Sequence, residues 1–145
     1  MPYRFALASV LKLRESLEEI LLRRLEQTQL EIAHTLQLLE GLQAHILSTM
    51  LSRQSDLAAG TAGADLHFGE SVLRQLRSDR QELEEKLAQL RARRRQQLHD
   101  YEDARNKRQV LKDLRDRQRS EYENRVAHRE QQMADDSFLA RKGRG

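Results

Sequence analysis

The feature that most constrains this chain is where its helix breakers fall. The single Pro is Pro2, and no Gly occurs between Gly69 and Gly143. Gly60, Gly63 and Gly69 crowd into one stretch, SDLAAGTAGADLHFGES. Pro and Gly are the strongest local punctuation, so their near absence elsewhere leaves room for two very long helices joined by one bend. Two such helices make a rod, which has nowhere to enclose an active site. The chain reads as all-α: a long antiparallel two-helix coiled-coil hairpin, its second helix longer than the first, forming one domain over residues 1–145. Helix one is expected from about 4 to 51, a Gly-rich bend from about 53 to 69, and helix two from about 70 to 140.

Composition supports this reading. Charged residues make up 34% of the chain and aromatics 4%, a thin core under a charged surface. There is no Cys, which removes disulfides and thiolate metal sites. The N-terminus lacks the apolar run of a secretory signal, and no segment approaches the roughly 18–20 apolar residues of a membrane-spanning helix. A cytoplasmic protein is the expectation.

Apolar positions of helix one step through Val10, Leu13, Leu17, Leu21 and Leu25, then Thr28, Ile32, Thr35, Leu39, Leu42 and Ile46. From Leu25 the steps alternate three and four, the seam of a left-handed coiled coil. Between Leu13 and Leu25 each step is four, which predicts a local stutter. Leu7, Leu11, Ile20 and Leu22 widen the apolar surface beyond what one partner helix covers.

The seam of helix two is expected at Val72, Leu76, Leu83, Leu87, Leu90, Leu98, Tyr101, Leu111 and Leu114, continuing to Tyr122, Val126 and Met133. Arg80, Arg94 and Arg108 interrupt it, with stems that can lie along the seam while the charge reaches water. Folding back about the bend sets position 52 opposite about 70 and position 4 opposite about 118. Everything from about Arg119 onward then overhangs as a single helix of roughly 30 Å. A lone helix gains little stability without a face to bury, so the stripe Tyr122, Val126, Met133 suggests a docking surface.

Chemistry-bearing motifs are missing. The sequence GTAG lacks the frame and lysine of a phosphate-binding loop, and the five histidines contain no H-E-x-x-H pair. No catalytic residue, metal or cofactor is expected. The run Arg91–Arg95 is the sharpest basic cluster, but Leu90 and Leu98 flank it in the seam and acids lie within a few turns. Nucleic acid is therefore not expected as a partner, although a pI near 9.5 keeps a basic coiled-coil regulator as an alternative. Around the bend, Phe68, Val72 and Leu76 are four apart and share a helical face. They either plug the end of the hairpin or insert into a partner's groove.

Both ends of the chain carry a resemblance. The opening YRFALASVLKLRESLEEILLRRL resembles that of the flagellar export protein FliJ family: a Phe near the start, a Leu-x-x-Val-Leu-x-x-Arg stretch (Leu7, Val10, Leu11, Arg14) and an acidic pair (Glu18, Glu19). The ending is similar to the family's C-terminal pattern, with Arg108, Leu111 and Leu114, then Tyr122, then Arg129, Glu130, Gln131, Asp135, Asp136 and Phe138. The resemblance implies an antiparallel coiled coil akin to a rotary-ATPase stalk, without enzymatic activity. It implies docking of the ends into the ring of the export ATPase FliI, contact with the export gate protein FlhA, and binding of export chaperones. Carried over, the ring contact falls on Phe5, Leu7, Val10, Leu11 and Arg14 plus the overhang (Tyr122, Val126, Met133). The gate contact falls on Val72 and Leu76, beside Phe68. Association with the inner face of the membrane would be peripheral, through partners. The equivalent stalk of a virulence secretion system is the nearest alternative.

Overall fold

The computed structural model describes residues 2–60 and 62–144. Two helices account for almost all of it: α1, Ala8–Ala58, and α2, Gly63–Arg144. They form an antiparallel hairpin, the second helix is the longer, and there are no strands among the described residues. By contacts the chain divides into two compact units, Leu22–Asp100, and Met1–Leu21 with Tyr101–Gly145.

The helix bounds differ from expectation at three places. Residues 2–5 are not helical, and a turn at 6–7, with the Ala8 amide donating to the Phe5 carbonyl (3.2 Å), leads into α1. The bend is much shorter than 53–69: helix persists to Ala58 and resumes at Gly63. Gly60 closes α1 with a φ of 79°, the left-handed conformation that glycine adopts without steric cost. Gly63 and Gly69 remain helical although each costs about 1 kcal/mol relative to Ala. Burying Leu73 and half-burying Leu66 on the same helix outweighs that cost. At the far end α2 continues to Arg144, with Arg141, Lys142 and Arg144 facing the negative end of the helix dipole.

In the unit Leu22–Asp100, α1 buries Leu25, Thr28, Ile32, Thr35 and Ile46 and half-buries Leu39 and Leu42, the expected seam. Thr35 is fully enclosed, its hydroxyl donating to the Glu31 carbonyl (2.8 Å). Facing it, α2 contributes Leu73, Leu76, Arg80, Leu83, Leu87, Leu90, Arg94 and Gln97, again in alternating steps of three and four. Ile32, Leu87 and Leu90 form the core cluster, with Leu39 packed against it. Two expected positions shift by one residue: Leu73 rather than Val72 is buried, and Gln97 rather than Leu98 faces inward. Each shift keeps the alternation unbroken, which a seam needs if its knobs are to stay on one line.

In the unit of the two ends the correction is larger. The inward positions of α1 are Leu11, Arg14, Glu18 and Leu21, while Val10, Leu13 and Leu17 are exposed, Leu13 by 69%. There is no stutter. The steps from Leu11 to Leu21 are three, four and three, continuous with those beyond Leu25. Polar side chains, Arg14 and Glu18, take two inward places, and at Glu18 α2 sets Arg108 opposite as its partner. Its own inward line, Tyr101, Ala104, Arg108, Leu111 and Arg115, holds the same alternation. A stutter in α1 alone would put the two lines out of phase.

Candidate functional site

In each unit a cleft gathers aromatic residues near the bend or the paired ends. In the unit Leu22–Asp100, a cleft of about 410 Å³ lies beside the bend. Ser48, Thr49, Ser52 and Asp56 line it from α1, and Asp65, Phe68 and Val72 from α2. The Arg53–Glu70 ion pair links the two helices beside it. Phe68 is 69% exposed, the largest apolar side chain presented near the bend. Phe68 and Val72 thus share one cleft, but Leu76 does not line it. Leu76 occupies an inward seam position and is half-buried. The four-residue spacing that put the three on one face crosses from flank to seam, because heptad packing steps by three and four.

In the unit of the two ends, a cleft of about 540 Å³ is lined by Pro2, Tyr3, Phe5, Arg115, Arg119, Tyr122 and Glu123. Tyr3 is the organising residue, and it was not singled out in the sequence. Its hydroxyl donates to Gln118 Oε1 (3.1 Å), and its ring meets Tyr122 at a centroid distance of 5.6 Å, tilted by 42°. The only available signal was an aromatic beside Pro2, outside the helix. The start of the chain is not helical, and through the Tyr3 ring the pairing continues to Tyr122, about a turn past Arg119.

The remaining proposed ring-contact residues are dispersed. Phe5 is half-buried at the cleft, while Leu7 and Val10 are exposed on the outside of the hairpin. Leu11 is 4% exposed and belongs to the interior, so it offers no surface to a partner while the hairpin is closed. Arg14 is half-buried in the seam, Val126 is half-buried, and Met133 lies on the fully exposed stretch that follows it.

Electrostatics in this unit centre on Glu18 and Arg108, which face each other across the seam. Arg108 Nε donates to Glu18 Oε2 (2.7 Å) and its terminal nitrogen to Oε1 (3.1 Å), a two-pronged pair. The side chains are 16% and 17% exposed. The hydrogen bonds from Arg108 hold the Glu18 carboxyl below its ordinary pKa against the opposing effect of burial. The Arg108 guanidinium is raised for the reciprocal reason. Here the arginine stem lies along the seam and its charge is paired with Glu18 at a half-buried position, with one terminal nitrogen donating to exposed Gln109 (2.8 Å).

The basic run is divided among different environments. Arg93 pairs with Glu31 across the hairpin (3.7 Å), Arg94 is half-buried in the seam, and Arg91 and Arg95 are exposed. No group of His, Cys, Asp or Glu that could hold a metal ion occurs among the described residues. Among those residues no helix is long and apolar enough to cross a membrane.

A family profile described as "Flagellar FliJ protein" matches residues 3–144. No curated protein and no solved structure matches the chain.

Proposed function

The chain belongs to the flagellar FliJ family and is a flagellar export-related protein, and on that premise we propose that it is a non-enzymatic stalk acting in the cytoplasm. It docks by its paired ends to the ring of the export ATPase FliI. By the cleft beside the bend it contacts the export gate FlhA. Export chaperones are further partners, and membrane association is peripheral, through these contacts.

The observation that carries this reading is the end-to-end family match on a hairpin in which each unit presents its own aromatic-lined cleft. Phe68 offers a large apolar side chain beside hydroxyl and carboxylate groups. Such an anchor suits a groove that also supplies hydrogen-bond donors. Tyr3, Phe5 and Tyr122 do the same at the paired ends, with Arg115 and Arg119 alongside. Binding at either cleft would bias an ATPase or gate state only through contacts that differ between its states.

A pull-down with purified partners tests both halves. Phe68→Ala with Val72→Ala should keep wild-type helicity by circular dichroism and weaken capture of the FlhA cytoplasmic domain while sparing FliI. Truncation after Arg119 should weaken capture of FliI and spare FlhA. Unchanged FlhA capture by the double variant would remove the bend from the gate contact. Unchanged FliI capture by the truncated chain would remove the C-terminal segment from the ring contact.

A further inference from the structure

On one flank of the hairpin near the bend, α1 and α2 present different chemistries. Leu47, Met50 and Leu51 of α1 lie three and four residues apart on one helical face, exposed by 59%, 42% and 58%. Arg53 and Asp56, the only Asp, Glu, Lys or Arg between Gln43 and Ala58, line the Phe68 cleft on the other flank. Facing the apolar strip, α2 contributes Arg74, Arg77 and Arg80. A cleft of about 350 Å³ is lined by Leu47, Met50 and Arg80, and a neighbouring one of about 680 Å³ by Arg80, Arg74 and Arg77. One groove therefore runs through Arg80, apolar along α1 and cationic along α2.

The cations are open to a partner. Arg74 and Arg77 are exposed, and neither has an ion pair among the described residues. Arg80 reaches Glu84 only at 3.9 Å. Of the acids on this flank, Glu70 is held by Arg53, and Glu40, Glu84 and Glu85 lie at the end of the groove away from the bend.

We propose that this groove receives an acidic amphipathic helix of a partner protein, its apolar face against α1 and its carboxylates against Arg74 and Arg77. Two packed helices leave a longitudinal groove on each flank that a third helix fills, its apolar residues entering between theirs. Nucleic acid asks for an uninterrupted cationic track, whereas one wall of this groove is aliphatic and its far end acidic. The same acids oppose an anionic lipid surface. The strip from Ala44 to Leu57 is about 20 Å long, so a helix laid on it buries on the order of 500 Å² per partner, less than the roughly 800 Å² of a standard interface. The contact is therefore weak and salt-sensitive. It shares no lining residue with the Phe68 cleft, so it goes beyond the gate and ring assignments and does not rest on them.

Fluorescence anisotropy of the full-length chain with a labelled peptide of about three heptads is the test. The peptide carries Leu at a and d and Glu at e and g, so that its own charge keeps it from pairing with itself; a control peptide carries Lys in place of Glu. The acidic peptide should bind with a Kd of roughly 100 μM or below, and the Lys peptide at least about tenfold more weakly. Arg74→Glu with Arg77→Glu, and separately Leu47→Glu, should each weaken the acidic peptide about tenfold while keeping wild-type helicity by circular dichroism. Phe68→Ala on the other flank and Leu13→Glu near the start of α1 should leave it unchanged. Equal binding of the two peptides overturns the inference, as does an arginine double variant that binds like the wild type. A Leu13→Glu loss as large as that of Leu47→Glu overturns it too, because the peptide then sits elsewhere. So does a single-stranded DNA of about 20 nucleotides that binds more tightly than the peptide and is lost in the arginine variant, since the groove then belongs to nucleic acid.

Discussion

The two units solve the same packing problem with different residues. Between Leu22 and Asp100 the seam is mostly aliphatic, and Ile32, Leu87 and Leu90 build a core with almost no polar atoms. In the unit of the two ends the only buried hydrophobic side chains among the described residues are Leu11 and Ala104, and an ion pair, Glu18 with Arg108, occupies the seam between them. Meanwhile four large aliphatic residues on the outside of the same helix stay in water. Hydrophobicity alone would have put Leu13 and Leu17 inside and Glu18 outside. Continuity of the heptad line overrides that preference, because a helix in a two-stranded coil has one inward stripe and cannot rotate locally without misaligning its partner.

The sharpest way to break this contrast is to cut into the aliphatic unit. Leu90→Ala should cost about 2–5 kcal/mol in urea unfolding monitored by circular dichroism, the range for a buried leucine that leaves a cavity. A loss below about 1 kcal/mol would mean that this unit is no better packed than the other.

Removing one half of the ion pair comes next in size. Arg108→Leu strands the Glu18 carboxylate in the seam and should cost about 1–3 kcal/mol. Replacing both, Glu18→Leu with Arg108→Leu, should restore or exceed wild-type stability, since apolar packing commonly matches a buried ion pair. If the double variant is no more stable than the single one, the pair contributes packing rather than charge compensation.

A smaller effect tests the pair through pH. The folded Glu18 pKa is lowered, so unfolded chains bind a proton there at a higher pH than folded ones do. The pair contributes its full stabilisation above the ordinary carboxylate range and loses it as pH falls through the lowered folded pKa. The stability difference between wild type and Glu18→Gln should therefore be constant near neutrality and shrink on acidification. A difference that grows instead would reverse the assigned direction. Smallest of all, Leu13→Gln at the exposed stripe should change stability by less than about 0.5 kcal/mol in the same urea unfolding.

Much of this architecture was legible in the residues. The spacing of Leu25, Thr28, Ile32, Thr35, Leu39, Leu42 and Ile46 located the α1 seam beyond Leu25 without error, threonines included. The same arithmetic set position 52 opposite 70 and 4 opposite 118, and the observed Arg53–Glu70 and Tyr3–Gln118 contacts agree. The candidate sites were only half legible. Phe68 and Val72 share a cleft, but Leu76 and Leu11 are inward, since spacings of four drift off a line that advances by three and four.

What the sequence settled alone is the positioning of the breakers, and with it two helices, one bend and a second helix longer than the first. These follow from local propensity, which each residue carries with it. What tertiary structure decided is which of two neighbouring stripes on α1 faces inward, Val10–Leu13–Leu17 or Leu11–Arg14–Glu18. It also decided that Tyr3 reaches Tyr122. One helix presents both stripes about 100° apart, and its own composition favours the more apolar. Only the opposing line on α2, with Arg108 at the matching height, made the charged stripe the inward one.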